Sequence, residues 1–92
     1  MESNELTQNL RKLLLSALNG VYPWPLDSRT IKFGMRPPFH TLSVEEIDAE
    51  LSYLAGRGKE YVERVEDDLA PAVNQWKLSP KGKDYLAKNA LD

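Results

Sequence analysis

Cysteine is absent from this 92-residue chain, so no disulfide or thiolate metal site can staple the fold, and a Cys nucleophile is excluded. Histidine occurs once, at His40. A zinc site would therefore lean on carboxylates, an unusual donor set. A serine nucleophile would depend on His40 as its base, and no serine here sits in a nucleophile-elbow pattern. Long apolar runs are missing too. The longest aliphatic stretch, Leu13-Leu14-Leu15, falls far short of the roughly 20 residues a membrane span needs. The first residues, Met1-Glu2-Ser3-Asn4-Glu5, lack the basic front and apolar middle of a signal peptide, so the expected address is the cytoplasm, with no membrane partner. No internal repeat or low-complexity tract is present.

Two short motifs resemble chemistry without meeting its requirements. Ala55-Gly56-Arg57-Gly58-Lys59 has the composition of a phosphate loop, but its glycines end a helical pattern and Glu60 stands where Ser or Thr belongs; it reads as a helix stop. Glu66-Asp67-Asp68 matches no calcium-loop spacing and reads as a solvated turn. The expectation is a non-enzymatic protein with no catalytic residue, cofactor or metal.

What is present suits one folded domain over residues 1–92. A hydrophobic share of 41% beside 28% charged residues separates the chain from disordered sequences, though its length lies near the lower limit for a self-sufficient core. The net charge of −2 is unevenly spread. Residues 43–68 hold nine acids against three bases, and the remainder holds nine bases against five acids.

Periodicity predicts a helix over Asn4 to Asn19, with Leu6, Leu10, Leu13, Leu14, Ala17 and Leu18 forming one apolar stripe, Ser3 as N-cap and Gly20 as stop. Leu15 lies off that stripe and is a candidate contact for a homodimer. Four of the six prolines fall in 21–42, which predicts an extended Tyr22-Pro23-Trp24-Pro25, then a short helix over Arg29 to Phe33 capped by Asp27 or Ser28 and ended by Gly34. Pro37-Pro38 forces a connector through Phe39-His40-Thr41. Ser43-Val44-Glu45-Glu46 is a capping box opening a third helix, whose Val44, Ile47, Leu51 and Leu54 share a face and which Gly56 or Gly58 closes. The period then changes. Tyr61 to Glu66 and Gln75 to Leu78 read as two strands of a hairpin, with Trp76 and Leu78 on one side and the loop Asp67 to Pro71 between them. Ser79-Pro80 caps a last helix through Lys83, Leu86 and Ala90.

Two stretches carry a family likeness. Leu42 to Gly58 resembles the recognition helix and glycine turn of bacterial winged-helix regulators. Trp76-Lys77-Leu78-Ser79-Pro80-Lys81-Gly82-Lys83-Asp84-Tyr85-Leu86 is similar to their last wing strand and following helix. Together they span under a third of the 92 residues, and they more loosely resemble small winged-helix proteins of Mu-like prophages. The resemblance implies an α+β winged helix-turn-helix: a three-helix core, a two-stranded β-hairpin wing and a C-terminal helix. It also implies that residues 43–56 enter a DNA major groove while the 66–74 loop touches the adjacent backbone, as in a transcriptional regulator.

The residues themselves oppose that docking. With the apolar face buried, the third helix presents Glu45, Glu46, Ala49, Ser52 and Tyr53, flanked by Asp48 and Glu50, and the loop adds Glu66, Asp67 and Asp68. DNA affinity rests on Lys and Arg neutralising phosphates, and carboxylates repel them. Two readings follow. In the first, a regulator binds DNA through a non-standard basic face drawn from Arg29, Lys32 and Arg36, or from Lys77, Lys81, Lys83 and Lys88. In the second, the winged helix is a protein-interaction module without DNA affinity, using Tyr22, Trp24, Glu45, Glu46, Ser52 and Tyr53. Tyr22, Trp24 and Phe39 either anchor a partner or cap the core beneath the short helix.

Overall fold

The chain is described by a computed structural model over residues 2–66 and 74–89. The order is α1 (Glu2–Asn19), β1 (Leu26–Asp27), α2 (Ser28–Phe33), a 3-10 turn (Phe39–Thr41), α3 (Val44–Ala55), β2 (Val62–Val65), β3 (Gln75–Leu78) and α4 (Pro80–Asn89). Four helices thus accompany a small antiparallel sheet in the order β1-β3-β2, an α+β arrangement compatible with a winged-helix-like fold. The expected loop Asp67 to Pro71, with Asp67 and Asp68, and the end of the last helix at Ala90 lie outside the described residues.

α1 starts at Glu2, so Ser3 belongs to its first turn and is not the N-cap. Its buried side chains are Leu10, Leu14, Leu15 and Leu18, while Leu6 and Leu13 are exposed. The apolar stripe is therefore rotated from the expected one, because α1 is covered on more than one side, by α3, β3 and α4. Leu15, 2% exposed, belongs to the core and offers no dimer contact.

After Gly20 the backbone folds through turns where an extended segment was expected. Tyr22 N–H donates to Asn19 O at 3.2 Å and Trp24 N–H to Val21 O at 2.7 Å. The chain then makes the two-residue strand β1, which sequence periodicity could not announce. It pairs Leu26 with Trp76 and Asp27 with Gln75. Asp27 also caps α2, accepting from Thr30 N–H at 2.7 Å, and Gly34 ends that helix.

The capping box of α3 forms in both directions: Glu46 N–H donates to Ser43 Oγ at 3.1 Å and Ser43 N–H to Glu46 Oε1 at 3.0 Å. Ile47, Leu51 and Leu54 are buried on its inner face, with Val44 half-buried. Gly56 ends α3, and Gly58, at φ +84°, supplies the left-handed residue of the following turn. β2 and β3 pair Val62 with Leu78 and Val65 with Gln75, turning Val62, Trp76 and Leu78 into the core. Ser79 Oγ joins this hairpin to α4. It accepts from Gly82 N–H at 2.9 Å and donates to Glu60 O at 2.6 Å. Tyr61 stacks on Tyr85 with ring centroids 4.4 Å apart.

Candidate interaction surfaces

The acidic face of α3 divides into two kinds of carboxylate. Glu45 and Glu46 are exposed, as are Ala49, Ser52 and Tyr53. The Ser43 amide holds the Glu46 carboxyl below the ordinary carboxylate range, helped by the Ser43 hydroxyl and the nearby Lys32 charge. Asp48 and Glu50 do not face water as the sequence suggested. Asp48 Oδ1 accepts from the Trp76 indole N–H at 3.0 Å and from the Ser28 hydroxyl, while Oδ2 accepts from Asn74 Nδ2 at 2.8 Å. Glu50 Oε1 receives Arg11 Nε at 2.8 Å.

The seven cations expected to contact nucleic acid are spread over α2 and its following loop, β3 and α4. Lys32 Nζ donates to Leu42 O and, at 3.4 Å, to His40 O, so it fastens α2 to the 3-10 turn. Arg29 and Arg36 are exposed, with no ion pair among the described residues. Lys77 lies on β3 opposite Glu63, on the face away from the core. Lys81 and Lys83 stand about 200° apart around α4. Lys81 turns to Gly58 O at 3.4 Å and Glu60 Oε1 at 3.7 Å; Lys83 turns to Asn19 Oδ1 at 3.2 Å and to the Tyr22 ring, 4.8 Å from its centroid. Lys88 is exposed in the last turn of α4.

The aromatic group also splits. Tyr22 and Phe39 are half-buried and pack against the core, whereas Trp24 is 71% exposed. Sequence reasoning passed over Phe33, which is 89% exposed at the end of α2. It borders a groove of about 420 Å³ shared with Arg29, Lys32, Met35, His40 and Val44. The only hint in the sequence was an aromatic at the last position of a six-residue helix, where one inward face is already supplied by Ile31.

A second cleft, of about 290 Å³, opens between α1, the end of α3 and α4. Its cations were equally unannounced. The Arg11 guanidinium lies 3.8 Å from the Tyr53 ring centroid and Lys59 Nζ lies 4.6 Å from it. A hydrogen bond from Lys59 holds the Tyr53 phenol below its ordinary range, with the charges of Lys59 and Arg11 adding to it.

Among the described residues, no group of three His, Asp or Glu side chains converges as a metal site would require, and no helix is long and apolar enough to cross a membrane. Compared with known proteins, the chain matches no family model, no curated protein and no solved structure.

Proposed function

We propose that the chain is a winged helix-turn-helix domain, with β2–β3 as its wing, that acts without catalysis by gripping another protein. The binding surface in this reading is the groove between α2 and the start of α3. Its occupant is an acidic segment carrying one large apolar anchor. The observation that carries the reading is Phe33, 89% exposed beside a groove floored by Met35 and Val44. Leaving a phenylalanine in water forgoes about 2 kcal/mol of burial, which a partner's apolar side chain would recover. Arg29, Lys32 and His40 line that groove, and Arg36 is exposed beyond α2, so complementarity asks for carboxylates around the anchor.

The ordinary winged-helix docking on DNA is opposed by exposed Glu45 and Glu46, where the phosphates would pass. One observation favours DNA as a second reading: Arg29 and Arg36 are exposed cations with no intramolecular ion pair among the described residues.

The test titrates the protein against a fluorescent peptide bearing Leu or Trp among Asp and Glu, and in parallel against a short DNA duplex at low salt. Peptide binding that drops about tenfold in Phe33→Ala supports the first reading. A duplex complex that weakens steeply with salt and with Arg29→Ala, with no peptide bound, overturns it in favour of the second. Sedimentation of the protein alone checks whether a second copy fills the groove, which would also overturn the first reading.

A further inference from the structure

The cleft around Tyr53 has a charge distribution that its structural role does not explain. Arg11 and Lys59 crowd the same aromatic ring, and Lys12 lines the cleft beside them. Only Arg11 has a carboxylate partner, Glu50; among the described residues neither Lys12 nor Lys59 has one. Two positive charges, Lys12 and Lys59, therefore line the cleft without a counter-charge among the described residues, Lys59 at its Tyr53 end. Cations held close together repel each other, so an anion placed between them gains more than it would from either alone.

The other end is different. Leu15 and Leu54 are buried at the floor, and the stacked pair of Tyr61 and Tyr85 forms an apolar wall. A volume of about 290 Å³ stands at the lower bound of ordinary small-ligand sites. It admits one ring and one anionic group. The donors at the charged end are a guanidinium, two ammonium groups and the Tyr53 phenol, which suits an anion with three acceptor oxygens and more than one charge.

We propose that this cleft binds a small phosphomonoester joined to a flat apolar group, the phosphate between Lys12, Lys59 and Arg11 and the flat group against Tyr61 and Tyr85. The inference is independent of the groove beside Phe33, which uses the opposite end of α3 and shares no lining residue with the cleft.

The test follows amide chemical shifts in two-dimensional NMR during titration with phenyl phosphate, inorganic phosphate and benzoate. Phenyl phosphate should saturate, with shifts confined to α1, the 53–61 segment and α4, and should bind at least about fivefold more tightly than either comparison anion. Lys59→Ala and Lys12→Ala should each weaken it about fivefold or more while leaving the remaining spectrum intact; Phe33→Ala should leave it unchanged. Equal responses to all three anions, or saturation unaffected by the lysine substitutions, would overturn the proposal. So would an absence of saturable shifts up to about 10 mM, a concentration well above the Km range of enzyme sites for such ligands.

Discussion

Asp48 Oδ1 accepts the indole N–H of Trp76 at 3.0 Å, tying the middle of α3 to the central strand of the sheet. The same carboxylate takes the Ser28 hydroxyl and the Asn74 amide, so a single side chain joins α2, α3 and β3. Trp76 is 3% exposed and Ser28 is buried, which denies both donors easy access to water. Asp48→Ala should therefore strand the indole N–H and leave the Ser28 hydroxyl only its 3.4 Å contact to Asn74 O, at about 2–3 kcal/mol given about 1–3 kcal/mol per buried unsatisfied group. Asp48→Asn keeps one acceptor and should cost markedly less. Urea unfolding followed by tryptophan fluorescence measures both, and two variants with wild-type midpoints would show that the carboxylate is dispensable.

Gly82 makes a sharper test, because helix propensity and packing point in opposite directions. Ala favours a helix interior over Gly by about 1 kcal/mol. At this position, however, a Cβ would stand 2.1 Å from Tyr61 O and 2.8 Å from Leu78 Cδ1. Backbone on that side cannot withdraw without breaking the Ser79–Tyr61 pairing that leads into α4. Gly82→Ala should thus destabilise by about 3 kcal/mol or more, the upper end of overpacking costs. Calorimetry showing an unchanged or raised melting temperature would contradict the close approach of α4 to Tyr61.

These two cases show where the sequence is informative. α3 is legible because twelve residues give more than three turns of period and its capping box lies wholly within four consecutive residues. The hairpin is legible from alternation at Trp76 and Leu78, and Asp27 and Gly34 bracket α2 as their chemistry requires. β1 is illegible because two residues carry no period. α1 misleads because three consecutive leucines permit several stripes, and only the packing of other elements decides between Leu13 and Leu15. Asp48 misleads for another reason. Its type suggests water, and its partners lie 20, 26 and 28 residues away. The Tyr53 cleft shares that property: Arg11, which lines it, meets Glu50 across 39 residues, a relation no local pattern encodes.

The capping box gives a pH-dependent prediction. Ser43→Ala removes the acceptor for Glu46 N–H and should cost about 1 kcal/mol, as N-cap losses commonly do. The Glu46 carboxyl is held below its ordinary value chiefly by the Ser43 amide. A depressed folded-state value stabilises the fold above the unfolded value and loses that effect as pH falls through the folded one. The gap in stability between the protein and Glu46→Ala should accordingly be steady near neutrality and shrink in acid, below the ordinary glutamate range. Denaturant midpoints collected across pH 2–7 give the comparison, where about pH 4.3 marks an unperturbed glutamate. A gap that widens in acid would contradict the assignment of the carboxylate as the bonded form.

Tyr53 supplies a spectroscopic reading of the second cleft that needs no ligand. The Lys59 hydrogen bond and the charges of Lys59 and Arg11 favour its phenolate, while desolvation opposes it less strongly. In alkaline titration, tyrosinate absorbance should begin to rise at lower pH in the protein than in Lys59→Ala. Tyr53→Phe should remove that early component altogether. Salt provides a further distinction. Tyr53 is 45% exposed, so the charge contribution should weaken over about 0.1–1 M salt as the screening length shortens, leaving the hydrogen bond from Lys59 as the residue-specific remainder. If Lys59→Ala titrates identically to the unmodified protein, the ammonium does not act on that ring, and the charged end of the cleft loses one of its three cations.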